Sequence, residues 1–305
     1  MSPAAYLFPF LAIVFWAGNV IVSKMAASAI SPTAITFYRL VLAIALLSPF
    51  LVRPIWRNRD AIRRHWWQLA IGGLLSMALF QALSYRAAES TTATNMAIVT
   101  ALIPLLTAIL SAALLGDAVT LGMAVGGVLS FGGILYLVGH GDIGAVLAQG
   151  AHLGDVLMLF AALAYSLYGV LLKRWRMAIP AWQSTYMQAA FALVFMFPAF
   201  LATPAPLRAL NRETLPLIAY AGGLASVVLP FLWIRGVQIL GPSRCAAFMN
   251  LLPVMTALGA ILMLGEPVRL HHIIGGGAAL AGVACAETFR RPLRIAPATL
   301  PKTVH

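Results

Sequence analysis

The sequence predicts an all-α polytopic membrane protein, with ten transmembrane helices arranged as two inverted five-helix halves. Of its 305 residues, 62% are hydrophobic and only 9% are charged, whereas soluble globular domains carry about 25% charged residues. Apolar runs long enough to cross a bilayer, which needs about 20 residues per helix, recur along the whole chain. They lack the two-residue alternation of a membrane β-barrel.

The ten predicted spans follow from these apolar runs, which are separated by short breaks rich in Pro, Gly and charge. The fourth and fifth spans, and likewise the ninth and tenth, have the shortest connections. In chain order, the predicted spans cover residues 6–23, 33–52, 67–86, 94–115, 120–139, 154–172, 183–202, 216–235, 243–264 and 269–288.

The net charge of +12 predicts an orientation in the membrane rather than a nucleic-acid partner. If the N-terminus lies inside, the cytoplasmic connections hold fourteen Lys and Arg residues and the opposite connections hold five. Because an excess of Lys and Arg marks the cytoplasmic side, we expect both termini in the cytoplasm. Every basic run flanks a predicted span, so we expect contact with the lipid bilayer and none with nucleic acid.

An internal repeat relates the two halves of the chain at an offset of 149 residues. Between 114–133 and 263–282, seven of twenty aligned positions are identical, including four matched pairs of glycines. Pro104 and Pro253 also align, and each would interrupt its span by removing a backbone donor. We therefore predict two repeats, residues 1–149 and 150–305.

The number of spans per repeat determines how the repeats are related. A chain that crosses a membrane five times ends on the opposite side, so the second repeat must be inverted relative to the first. Inverted repeats are typical of secondary transporters, which bind substrate between the repeats near the membrane midplane.

The sequence lacks the motifs of a hydrolase, a metalloprotease or a phosphate-binding loop, so we expect no enzyme, no cofactor and no metal. Its eight acids fall in connections or at span ends. The two cysteines have no metal-ligand or disulfide spacing. In the repeated hairpin, Gly116 and Gly265 are expected to end helices, and Asp117 and Glu266 to stabilise the start of the next helix.

An aromatic and polar stripe on the first and sixth spans is the first candidate for a binding surface. Trp16 and Asn19 share one helical face, and their repeat equivalents are Tyr165 and Tyr168. Aromatic residues at this spacing also serve simple packing, so the pattern allows both interpretations.

Arg39 is the second candidate, because it is the basic residue that enters a span. It could meet a substrate carboxylate, or it could extend its side chain to the membrane boundary. Its repeat equivalent, Gln188, is also polar, which favours an inward-facing position for both.

Two motifs resemble those of the EamA family of the drug/metabolite transporter superfamily. They are FWAGNVIVSK (15–24) and SPTAITFYRLVLA (31–43), and the paired prolines and the glycine–acid bends complete the pattern. The resemblance implies ten helices and a central cavity lined mainly by helices other than the fifth and tenth. Small multidrug exporters carry a Glu where this chain has Trp16 and Tyr165. That departure argues against drug/proton antiport. Within the superfamily, the chain as a whole and its aromatic cavity candidates are similar to YddG-type aromatic amino-acid exporters.

These observations predict a monomeric exporter of small molecules in the bacterial inner membrane that works by alternating access. Neutral or aromatic amino acids are the expected substrates, and organic cations or drugs are the alternative. The candidate substrate-binding residues are Trp16, Asn19, Tyr38, Arg39, Gln81, Tyr85, Asn95, Thr100, Tyr165, Tyr168, Gln188, Trp233 and Asn250.

Overall fold

The structure is a computed structural model and describes residues 3–142, 152–240 and 248–289. These residues form helices and no strand, which confirms the predicted all-α class. We number the ten apolar helices in chain order: α1 (Leu7–Ala26), α2 (Pro32–Arg57), α3 (Trp66–Ala87), α4 (Ala93–Leu115), α5 (Leu121–Val138), α6 (Leu153–Trp175), α7 (Ala181–Ala202), α8 (Thr214–Gly236), α9 (Leu252–Leu264) and α10 (Leu270–Thr288).

Helices α1 to α8 are long and apolar enough to cross a membrane. The apolar stretches of α9 and α10, Leu252–Leu264 and Leu270–Ala286, are shorter than 18 residues. The first part of the ninth predicted span, 243–247, lies outside the described residues. Ten crossings and cytoplasmic termini therefore stay predictions. Large apolar side chains point outward along the bundle, including Phe50, Val128 and Leu262. This is the surface expected of helices that face lipid.

Capping residues and glycines mark the beginnings and ends of several helices. Ser31, Thr92 and Thr120 precede α2, α4 and α5, and each accepts a hydrogen bond from a backbone N–H in the first turn, as capping residues do. Gly116 and Gly265 follow α4 and α9 with φ of +72° and +67°, a conformation that favours glycine. Both glycines therefore end helices as predicted.

The acids after these glycines make different contacts from those expected. Asp117 Oδ2 pairs with Lys173 Nζ at 2.5 Å, and Glu266 Oε1 accepts from the Ala93 N–H at 3.1 Å. The prediction that each acid serves the next helix in the chain was wrong. Each acid instead binds a helix end that is distant in sequence, and so holds two parts of the bundle together.

The paired prolines coincide with breaks in helix geometry. In α4, the α-helix stops at Thr100 and resumes at Ile103, with Pro104 in the first turn of the second part. Before α9, a 3-10 turn at Met249–Leu251 leads into an α-helix with Pro253 in its first turn. The structure thus confirms that both repeats are interrupted at matched positions.

Helices α5 and α10 pack backbone to backbone along two pairs of glycines. A Cβ on Gly126 would overlap the carbonyl oxygen of Gly282, and a Cβ on Gly133 would overlap that of Gly275. With the repeat offset of 149, Gly282 is equivalent to Gly133 and Gly275 to Gly126. The contact is therefore reciprocal, as a two-fold axis requires.

The order of these contacts shows how the repeats are oriented. As the chain advances from Gly126 to Gly133 on α5, the residue it touches on α10 retreats from Gly282 to Gly275. Between them, Ser130 Oγ donates to the carbonyl oxygen of Ala279, its own equivalent, at 2.9 Å. Equivalent helices thus run in opposite directions about an axis near Ser130, as inverted repeats require.

We expect Gly126→Val to destabilise the protein more than Gly127→Val. Both changes alter the helix propensity of α5 by the same amount. Only the first inserts atoms into the α10 backbone, because a Cβ on Gly127 meets nothing within 4 Å. Overpacking of this kind costs about 1–3 kcal/mol. Thermal unfolding in detergent would measure the difference, and equal midpoints for the two variants would contradict it.

Candidate functional site

A cavity of about 430 Å³ lies between the two repeats, within the size range of small-molecule sites. Helices α1 to α4 and α6 to α8 contribute to its wall, together with Met249 before α9. Among the described residues, neither α5 nor α10 contributes to it. The lining residues are Trp16, Asn19, Arg39, Leu40, Leu47, Ser76, Met77, Phe80, Gln81, Ile103, Pro104, Tyr165, Tyr168, Thr185, Ala189, Ala225, Ser226, Leu229, Pro230, Trp233 and Met249.

Aromatic side chains form much of this wall. Trp16 of α1, Tyr165 and Tyr168 of α6 and Trp233 of α8 all line the cavity. The ring of Tyr165 lies 4.9 Å from that of Phe80 and 5.6 Å from that of Tyr168, centroid to centroid. Such rings offer flat apolar surface with polar groups at their edges, which suits a planar or apolar ligand.

The polar part of the wall centres on Arg39 of α2, whose residue surface is only 3% exposed. Its Nε and Nη2 donate to Ser226 Oγ at 3.2 and 2.9 Å. Its Nη1 donates to Gln81 Oε1 at 2.7 Å and to the Tyr85 hydroxyl at 3.2 Å, with Asn19 Oδ1 at 3.5 Å. Arg39 thus points inward rather than to the membrane boundary, and it faces neutral oxygen acceptors.

No acid lines the cavity among the residues that the structure describes. Elsewhere in the described part of the chain, ion pairs join Arg59 with Asp60, Arg86 with Glu89 and Lys173 with Asp117. None of these pairs involves Arg39. The cavity wall therefore carries one positive charge with no negative charge beside it.

Two π-helical segments, in α3 and α8, shape the polar part of the wall. They span Leu74–Leu79 and Tyr220–Val228, and with the offset of 149 they end at equivalent residues. The first brings Ser76 and Met77 to the cavity, and the second brings Ala225 and Ser226. Because a π turn adds a residue, it rotates the following side chains to a new face, and such turns are frequent at functional sites.

Matched glycines hold α2 and α7 close to these segments. A Cβ on Gly222 of α8 would crowd the backbone of Arg39, and a Cβ on its equivalent, Gly73 of α3, would overlap the backbone of Gln188. Arg39 and Gln188 are themselves equivalent. Equivalent close contacts of a glycine with a neighbouring helix therefore position Arg39 in one repeat and Gln188 in the other.

Sequence reasoning missed Ser226, the residue that binds Arg39 through two nitrogens. The signal that could have found it is the string GGL-x-S, which occurs at 72–76 and again at 222–226. The two copies are separated by one residue more than the repeat offset of 149, so an ungapped alignment does not pair their serines.

The structure brings seven of the predicted site residues together at the cavity: Trp16, Asn19, Arg39, Gln81, Tyr165, Tyr168 and Trp233. Two more are buried directly behind its wall. Tyr85 supports Arg39 through its hydroxyl, and Gln188 donates from Nε2 to Ser184 Oγ at 2.9 Å.

Of the remaining predicted residues, Tyr38 and Thr100 do not line the cavity. Tyr38 donates from its hydroxyl to the carbonyl oxygen of Arg208 at 3.0 Å, which ties α2 to the connection between α7 and α8. Thr100 is buried and donates to the carbonyl oxygen of Met96. Asn250 lies in the 3-10 turn before α9, and its side chain is outside the described residues.

Asn95 joins a buried acid away from the cavity. Its Nδ2 donates to Asp155 Oδ1 at 3.1 Å, and the same oxygen accepts from the Thr91 hydroxyl. Asp155 is 4% exposed and lies in the first turn of α6, where a helix N-terminus favours negative charge. This cluster fastens the start of α6 to the start of α4.

Comparison with known proteins relates the whole chain to transporters. A family profile described as the EamA-like transporter family matches residues 3–139 and again 152–287. The uncharacterized transporter YyaM of Bacillus subtilis (strain 168) is 26% identical over 267 residues, covering 87% of each chain. An uncharacterized transporter of Archaeoglobus fulgidus is 28% identical over 289 residues, covering 93% of this chain and 97% of its own.

The fold is also found among solved structures. One crystal structure of a protein, 20% identical in sequence, superposes with a TM-score of 0.61, and the match covers 96% of this chain and 100% of that chain. At this level of identity, the likeness concerns the fold alone.

We expect Ser226→Ala to lower the free energy of unfolding by about 1–2 kcal/mol, because two guanidinium nitrogens lose their acceptor in a buried site. Reversible unfolding in mixed micelles would measure the loss. Ser28→Ala is the matched control, since Ser28 is exposed and bonds only its own helix turn, at Met25. A Ser226 variant as stable as the control would contradict the importance of this contact.

Proposed function

The chain belongs to the EamA-like transporter family, which matches it as two repeats, and on this premise we propose that it exports neutral amino acids, above all aromatic ones. It is a polytopic membrane protein of a transporter family and hence a transporter of small molecules. Export across the bacterial inner membrane by alternating access is the finer part of the proposal.

The observation that carries the proposal is the composition of the cavity between the repeats. Its wall combines the guanidinium of Arg39 with aromatic surface from Trp16, Tyr165, Tyr168 and Trp233. An amino acid with an aromatic side chain matches both at once. Its ring would stack in the aromatic part, and its carboxylate would accept hydrogen bonds from Arg39, which binds carboxylates in a fixed planar geometry.

The alternative substrates, organic cations and drugs, find less support in the same cavity. A cation in a low-dielectric site needs a negative partner, and no acid lines the cavity among the described residues. The positive charge of Arg39 would also repel it. The amino-acid proposal therefore accounts better for the charge of the wall.

Alternating access is supported by a difference between equivalent ionic groups of the two repeats. Lys173 and Asp117 form an ion pair, and their equivalents are Lys24 and Glu266. Lys24 and Glu266 both lie in the part of the chain that the structure describes, but they have other partners. Lys24 Nζ donates to the carbonyl oxygens of Ala88 and Thr91 at 2.8 and 2.6 Å. Glu266 meanwhile accepts from a backbone N–H.

In one end state of an inverted-repeat transporter, the two repeats have different conformations, so equivalent residues have different bonding partners. Conversion to the other end state exchanges the conformations of the two repeats. Under this proposal, Lys24 then pairs with Glu266 while Lys173 and Asp117 separate. Lys173 and Asp117 have side chains that are 55% and 42% exposed. Exposed ion pairs contribute about 0–1 kcal/mol, so this pair would not trap the protein in one state.

Counterflow in proteoliposomes tests the proposed substrate. We expect exchange of labelled phenylalanine or tryptophan, and no exchange of a labelled organic cation. Trp16→Ala and Tyr165→Ala should each reduce exchange about tenfold, because lost aromatic contacts of roughly 1–1.5 kcal/mol correspond to that factor.

Trp66→Ala is the matched control, since Trp66 is 58% exposed at the start of α3 and does not line the cavity. Exchange of a cation without exchange of any neutral amino acid would refute the proposed substrate. Equal activity of the Trp16, Tyr165 and Trp66 variants would assign the aromatic stripe to packing.

Cysteine pairs test the exchange of ionic partners, in a background where Cys245 and Cys285 are replaced by serine. We expect a short bis-methanethiosulfonate reagent, which can span the length of the lysine side chain, to cross-link Asp117→Cys with Lys173→Cys through two reducible disulfides. The same reagent should cross-link Lys24→Cys with Glu266→Cys during turnover. Each cross-link should stop counterflow until it is reduced. The four single-cysteine variants are the controls, and an active Lys24/Glu266 cysteine pair that never cross-links would contradict the proposal.

A further inference from the structure

The charge of the cavity wall defines which part of a substrate the protein recognises. Arg39 is 3% exposed and is bonded to the neutral side chains of Ser226, Gln81 and Tyr85. A charge inside a membrane protein is costly unless it is paired, and neutral hydrogen bonds satisfy its donors without compensating the charge. Arg39 therefore remains an uncompensated cation until an anion enters the cavity.

An entering carboxylate supplies the missing charge. Guanidinium and carboxylate can form two parallel hydrogen bonds, and the interaction is stronger in a low-dielectric site than in water. The carboxylate would replace one or more of the neutral acceptors around Nη1, where Asn19 Oδ1 is already the most distant, at 3.5 Å. Binding of an anion at this point therefore reduces the free-energy cost of the unpaired charge on Arg39.

The amino group of an amino acid finds no corresponding partner. No acid lines the cavity among the described residues, and a buried ammonium without a negative partner loses its hydration without compensation. Aromatic faces such as those of Trp16 and Trp233 can attract an ammonium through cation–π contact, but this is weaker than an ion pair. The wall is therefore complementary to the carboxylate and the apolar tail, not to the ammonium.

The repeat also limits the number of recognised charges. The equivalent of Arg39 in the second repeat is Gln188, which is neutral and bonded to Ser184. Arg39 is the one basic residue in the cavity wall among the described residues. One cation matches one carboxylate, so a second carboxylate on the substrate would be left unpaired.

From this arrangement we infer that the protein selects monocarboxylates with an apolar or aromatic tail, and that the α-amino group is dispensable. The inference rests on the proposed function and extends it: neutral amino acids are one subset of the substrates, and their deaminated analogues are another. Amines and amides with the same tail are excluded, because they lack the anion that Arg39 requires.

Counterflow with two labelled compounds, phenylalanine and 3-phenylpropionate, tests this inference separately from the proposed function. We expect both to exchange, and unlabelled 3-phenylpropionate to compete with labelled phenylalanine at least as well as unlabelled phenylalanine does. Phenethylamine and phenylalaninamide should not compete, even at tenfold excess.

Each other outcome has a distinct meaning. Exchange of phenylalanine that is inhibited by the amide and not by 3-phenylpropionate would refute the inference while leaving the proposed function intact. Exchange of 3-phenylpropionate alone would refute amino-acid export, and with it the inclusion of neutral amino acids among the substrates, while supporting selection by the carboxylate. Exchange of neither compound would refute both.

A change at Gln81 tests the charge argument without removing Arg39. Gln81→Glu keeps the shape of the side chain and places a carboxylate where Gln81 Oε1 now lies, 2.7 Å from Arg39 Nη1. This internal anion should compensate Arg39, so we expect the inhibition constant of 3-phenylpropionate to rise at least about tenfold while the protein stays folded.

Gln183→Glu is the matched control, because Gln183 bonds Asn58 at the end of α2 and does not line the cavity. Arg39→Lys should retain part of the 3-phenylpropionate competition, and Arg39→Gln should lose it. Size-exclusion profiles of every variant would verify folding. An unchanged inhibition constant in folded Gln81→Glu would overturn the inference.

Discussion

Between α5 and α10, only glycine hydrogens separate one backbone from the other, because Gly126 meets Gly282 and Gly133 meets Gly275. In a bilayer, where apolar side chains gain little by leaving lipid, close backbone packing is a principal force between helices. This contact lies on the axis that relates the repeats, so it determines their separation. The other helices can then enclose a cavity to which α5 and α10 contribute none of their described residues.

Most of the fold could be predicted because it depends on signals that are local in the chain. Helix lengths follow from apolar runs, the helix ends at Gly116 and Gly265 from glycine, and the breaks near Pro104 and Pro253 from the missing backbone donor. The contacts of Asp117 and Glu266 could not be predicted in this way. Each acid binds a group that tertiary packing alone brings near, so no spacing in the sequence indicates it.

The site was predicted less completely, for a related reason. The residues Trp16 and Arg39 were found because aromatic and charged residues inside spans stand out by type. Ser226 was missed because serine is common in helices, and its position at the cavity depends on a π turn that changes which face it occupies. Asn95 was included by residue type, but it bonds Asp155 outside the cavity, since helix orientation decides where an amide points.

The equivalence of Arg39 and Gln188 has a consequence for how the number of charges can evolve. In an assembly of two identical half-length chains, any residue at this position would occur twice, so the centre could hold either two arginines or none. A single chain that contains both halves is free of that restriction, and it carries one arginine opposite one glutamine. Fusion of the halves thus makes an odd charge available at the centre of an otherwise two-fold architecture.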